Sequence, residues 1–166
     1  VSGRDPGPPQ DRLNEAIACG EVGRVLRDLN RLGEAKGYFE RAAEILARPP
    51  TEDVGWIIRQ TDVYRDLGLL HEKRGVPEAA RTEFARATAA AAAYLAKTGS
   101  ARAKAIEADA HYQQGRSLMA VDKAAGCGLL RRSLDRYGEL IAGGSPVEQD
   151  WEFNISDATE KIRACP

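Results

Sequence analysis

One stretch, from Asp62 to Tyr94, leaves few folds open to this chain. Tyr64, Leu67 and His71 fall on one face of a helix, and Gly68 cuts a notch in that face. Gly75 and Pro77 then break the helix, and Ala80, Phe84 and Ala87 recur at i, i+4 and i+7 on the next one. Two helices joined by a tight turn, each with one apolar stripe, must pack on each other and on neighbours. A sheet protein does not carry such a pattern.

The same spacing occurs upstream. Cys19, Val22, Gly23 and Leu26 repeat the first half, and Ala35, Phe39 and Ala42 each stand 45 residues before Ala80, Phe84 and Ala87. The glycines give the same offset, 68 − 23 = 45, so the unit reads as duplicated. A third copy is weaker: His111, Gln114, Gly115 and Leu118 fit the first helix, but Cys127, Arg131 and Leu134 occupy the alanine, phenylalanine and alanine places. Arg131 puts the packing of that pair in doubt.

Boundaries follow from turn and cap chemistry. Residues 1–9, VSGRDPGPP, hold three prolines and two glycines and read as an arm or linker end, so the helical domain is expected over 10–166. Asn30 can take the left-handed conformation that ends a helix, and Pro49 and Pro50 stop the second helix. Thr51, Glu52 and Asp53 suit the start of the third, Gly99 ends the fourth, and Ser100 caps the fifth. Ala89 to Ala93 favour close helix packing. Ser145-Pro146-Val147-Glu148 reads as a capping box opening a last helix that bears Trp151, Ile155, Ala158 and Ile162. Seven helices are expected.

This pattern resembles the tetratricopeptide repeat, although the units are 45 to 47 residues apart, against about 34 in that family. The resemblance implies an all-α, right-handed helical-repeat superhelix (an α-solenoid) with a C-terminal capping helix and a concave groove that binds an extended peptide or partner helix. The groove residues it implies are Arg24, Arg27, Asp62, Arg65, Leu69, Tyr112 and Arg116, with Ile17, Asp28, Lys73 and Asp109 beside them. The lysine and asparagine set with which chaperone-binding members grip a carboxylate is absent, since Gly20, Arg24 and Asp66 take those places. The run from Arg131 to Leu140 and the closing helix also resemble the end of helical-repeat regions attached to bacterial serine/threonine kinases. No kinase signature is present. That second resemblance implies a regulatory or sensor domain of a larger signalling protein, whose own catalytic domain could be the groove's occupant.

Catalytic and metal-binding patterns fail on inspection. His71-Glu72 begins like H-E-x-x-H, but Gly75 stands where the second histidine belongs. Gly126-Cys127-Gly128 has no lysine at phosphate-loop spacing, and Asn154-Ile155-Ser156 is a glycosylation sequon inside a helix. A non-catalytic protein-interaction module without cofactor or metal is therefore expected. The 24 basic and 25 acidic residues, net −1, give no argument for nucleic acid, and no apolar run is long enough to span a bilayer. Cys19, Cys127 and Cys165, odd in number and without C-x-x-C spacing, read as buried apolar residues in a reducing compartment, with one disulfide left open. Cytoplasmic localisation follows, or an extracytoplasmic one if an upstream segment tethers the chain. Replacing Arg65 by alanine is expected to weaken partner binding and leave stability almost unchanged.

Overall fold

The computed structural model describes residues 7–49 and 53–166. Residues 1–6 of the arm expected over 1–9 and the Thr51 cap lie outside them, and Pro9, expected in the arm, already belongs to the first helix. The described residues form seven helices: α1 (Pro9–Asp28), α2 (Leu32–Leu46), α3 (Val54–Lys73), α4 (Pro77–Thr98), α5 (Ala101–Leu118), α6 (Lys123–Ala142) and α7 (Gln149–Ile162). They pack mostly in sequence as antiparallel pairs, α1 on α2, α3 on α4 and α5 on α6, with α7 against α5 and α6.

Several helix ends are set by residues expected at them, α3 is capped by Asp53, whose side chain accepts from Gly55 N–H at 2.6 Å, and one expected cap is not formed. Asn30 has φ 61°, Arg31 N–H donates to Leu26 O at 2.8 Å, and Asn30 N–H donates to Arg27 O at 3.0 Å. This pair of bonds is the Schellman closure, which satisfies the orphan carbonyls of the last turn. Gly75 at φ 72° closes α3 in the same way, with Pro77 in the first turn of α4. Ser100 accepts a hydrogen bond from Ala103 N–H at 3.1 Å and starts α5. The cap not formed is Ser145. Its N–H donates to Leu140 O at 3.0 Å while Gly144 sits at φ 83°, so Ser145 belongs to the closing turn of α6, and it stands too far before α7 to cap it. That helix begins at Gln149 behind Glu148, which makes no side-chain cap.

Two glycine and phenylalanine contacts organise the first four helices. A Cβ on Gly23 would stand 2.7 Å from the ring of Phe39, and one on Gly68 would overlap the ring of Phe84. Both rings are fully buried. The missing side chain therefore makes the hole that the ring fills. On α1 the buried positions are Ala16, Gly20, Gly23 and Leu26, whereas Val22 and Leu29, expected on the core face, are exposed, as is Val25. The small-residue stripe faces the core because helices approach most closely there.

The remaining seams are tied by polar bonds across apolar contacts. Trp56 Nε1 and Gln60 Nε2 both donate to Leu46 O, at 3.0 and 2.8 Å, and so satisfy a carbonyl left over at the end of α2. Thr88 Oγ1 bonds Ala110 O at 3.3 Å, between the buried alanines of α4 and α5. Ser133 Oγ donates to Ala108 O at 2.8 Å.

The third pair departs from the expected register by one residue. Leu130, not Arg131, occupies the phenylalanine place: a Cβ on Gly115 would meet Leu130 Cγ at 3.0 Å and Gly126 O at 3.1 Å. Gly126, Leu130 and Ser133 are buried, and Arg131 is exposed. The arginine is a surface residue and does not disturb the pair.

Cys127 and Cys165 form a disulfide across 38 residues, with their Cα atoms 6.0 Å apart. The reading of all three cysteines as free buried residues is corrected here. Only Cys19 is a free thiol, and burial raises its pKa. Among the described residues no helix is long and apolar enough to cross a membrane.

Candidate functional site

Arg24, Arg27, Asp62, Arg65, Leu69, Tyr112 and Arg116 all line one concave cavity of about 900 Å³. They come from α1, α3 and α5, whose exposed faces turn to the same side because these helices are alternate members of the antiparallel series. Asp109 joins them, while Ile17, Asp28 and Lys73 do not line it.

Burial and charge are linked on this surface. Asp66, its side chain 3% exposed, accepts from Arg24 Nε at 2.9 Å and from Arg27 Nη1 at 3.0 Å. Arg24 also meets Glu21 at 3.1 Å, and Arg27 meets Asp28 at 3.3 Å. Arg116 lays its two terminal nitrogens on the two oxygens of Glu72, at 3.0 and 2.7 Å, and its Nε donates to Gln113 at 2.9 Å. A paired guanidinium in this geometry has few donors left for a ligand.

Arg65 is held more loosely. Its terminal nitrogens stand 3.6 Å from Asp109 and 3.9 Å from both Asp62 and Asp66. Burial opposes its charge, but the three carboxylates outweigh burial and raise its pKa. Burial raises the pKa of Asp62 in spite of Arg65 and Arg59. Arg65 thus stands among three acids that α3 and α5 bring together.

The wall that the sequence did not reveal is α7. It contributes Trp151, Phe153, Asn154, Asp157 and Lys161 to the cavity. Trp151 packs on Tyr137 with ring centroids 5.3 Å apart, and Asn154 Nδ2 donates to Tyr137 Oη at 3.0 Å and to Asp109 at 3.2 Å. Tyr112 Oη donates to Asp157 at 2.8 Å. Burial and that bond push the tyrosine pKa well up. Burial opposes ionisation of Asp157, but bonds from Lys161 and Tyr112 prevail and keep its pKa below the ordinary carboxylate value. Phe153 is 66% exposed at the rim. The available signal was Phe153 itself, an aromatic on the side of α7 opposite Ile155 and Ala158.

No family model, curated protein or solved structure matches the chain.

The residues with catalytic potential lie elsewhere. His71 and His111 are not in the cavity lining, and each has a buried Nδ1 without a hydrogen-bond partner. Burial lowers both pKa values. Gly126-Cys127-Gly128 lies within α6, and Asn154 of the sequon is buried with its amide already bonded. Among the described residues no group of three or more His, Cys, Asp or Glu side chains could hold a metal ion.

Proposed function

We propose that the chain is a tetratricopeptide-like array, a right-handed superhelix closed by α7, and that it acts as a non-catalytic module binding an extended peptide or partner protein in its concave groove. The observation that carries this reading is the gathering of all seven implied groove residues, from three helices, around one cavity. The internal pairing of Arg24, Arg27 and Arg116 sets the mode of recognition. These arginines hold the groove in shape, and contact falls to the less committed groups, Leu69, Arg65 and the exposed Phe153. A preformed groove binds with little ordering cost.

The test is an immobilised peptide library probed with the intact chain and with Phe153→Ala. We expect a defined subset of peptides to bind, and the variant to lose roughly tenfold in affinity with an unchanged melting temperature, as an exposed aromatic anchor should. Binding of no peptide, or equal binding by the variant, would remove the groove from this role.

The disulfide bears on where such a module would work, outside the cytoplasm. Cys127 and Cys165 would persist as a bond in an oxidising compartment and be lost in a reducing one. The cytoplasmic expectation gives way on this point to the extracytoplasmic one.

A further inference from the structure

Resting on the reading of the cavity as a binding groove, we propose that the Cys127–Cys165 bond is a redox latch on its α7 wall. Oxidised, the bond holds the wall in place; opened by a dithiol reductant, it lets the C-terminal half of α7 fray and the groove lose that side.

α7 is the shortest of the seven helices and packs against α5 and α6 alone. Its N-terminal half is anchored by Trp151 and Asn154 on Tyr137. Its C-terminal half brings Asp157 and Lys161 to the cavity, and only Ala158 there is buried. Residues 163–166, beyond the helix, are tied to α6 in two ways, by the disulfide and by Arg131 Nη2 donating to Pro166 O at 3.2 Å. The latch is therefore fastened at the weaker end of the wall. Opening it frees the half-helix that carries Asp157, the acceptor of Tyr112 on the groove floor.

Access to the bond is one-sided. Cys127 is 1% exposed beside Met119, whereas Cys165 is partly exposed. A dithiol reductant thus attacks as a thiolate at Cys165 Sγ. The S–S bond breaks, its electron pair leaves on Cys127 Sγ, and that sulfur takes up a proton. The second thiol of the reductant then attacks the mixed disulfide at the reductant's sulfur, releasing Cys165 as a thiol. The protein disulfide is reduced by two electrons, and the reductant leaves as a disulfide.

The experiment is hydrogen–deuterium exchange on the intact chain carrying Cys19→Ser, with and without dithiothreitol, beside the same chain with Cys165→Ser added. We expect amides after residue 155 to exchange roughly tenfold faster on reduction, with α1 to α4 unchanged, and the Cys165→Ser chain to exchange fast in both conditions. Unchanged exchange in α7, or acceleration spread through all seven helices, would overturn the latch. Exchange is read without peptide, so failure of the latch and failure of the groove reading are separate results. Where library peptides bind, reduction should weaken them as Phe153→Ala does.

Discussion

Asp66 is the side chain on which the charged surface turns. It is almost fully buried, and its two oxygens take one guanidinium each from α1. Replacing it by asparagine leaves Arg24 and Arg27 without their common counter-ion in a partly buried place, and breaking such a pair costs about 3 kcal/mol. Glu21→Gln removes an exposed i,i+3 pair to the same Arg24 and should cost well under about 1 kcal/mol. Urea unfolding of the two variants checks the contrast, and equal losses would show that burial does not set the energetics here. Arg65 illustrates the limit of reading such residues from spacing. Its position on the groove face is visible in the sequence, but its acidic neighbours come from two helices, with Asp62 and Asp66 on α3 and Asp109 on α5. The two on α3 are visible in the spacing, and only the packing brings Asp109 to them.

At the scale of the helix pair, the decisive question for each glycine is what its missing Cβ would meet. Gly138 in α6 and Gly37 in α2 face open space, so alanine there should stabilise by about 0.5–1 kcal/mol through lower backbone entropy. Gly68→Ala drives a methyl into the Phe84 ring and should destabilise by about 1–3 kcal/mol. Thermal unfolding of the three variants reads both signs. Much of this level is legible in the sequence. The duplicated glycine and phenylalanine contacts, the left-handed Asn30, the break at Gly75 and Pro77 and the Ser100 cap all depend on local chemistry that a sequence carries. The third pair reads one residue out of register because its knob is a leucine and stands one residue closer to its glycine, so the phenylalanine that marks the other two pairs is missing. The α7 start is misplaced because the helix begins at Gln149 behind Glu148, which makes no side-chain cap, so the capping-box pattern at Ser145 is present in the sequence but not used. The disulfide depends on the return of α7 to α6, which no spacing of three cysteines specifies.

At the scale of the whole molecule, the two histidines make stability depend on pH in a direction that can be derived. Burial lowers the folded-state pKa of His71, among Glu83, Arg74, Lys36 and Glu40, and of His111, among Glu107, Arg132 and Arg136. The folded chain therefore binds fewer protons than the unfolded chain, whose histidines titrate near about 6.5. Stability is complete above that value and falls as pH drops from it toward the folded-state pKa values. Urea midpoints should accordingly be lower at pH 5.5 than at pH 7.5, and a His71→Gln, His111→Gln double variant should flatten the slope. A rise in stability over this interval would contradict the burial of the two Nδ1 atoms. Asp62, whose pKa is raised, acts with the opposite sign but in the carboxylate range, below this window.

Packing between neighbours in sequence also bears on the order in which this chain is made. Because α1 meets α2 and α3 meets α4, each pair can close soon after its second helix leaves the ribosome, with no need of residues synthesised much later. The last pair differs: the partner of Cys127 arrives 38 residues afterwards, once α7 has been made. The groove is thus completed from one side, and its final wall is fastened only when Cys165 has emerged and meets an oxidant.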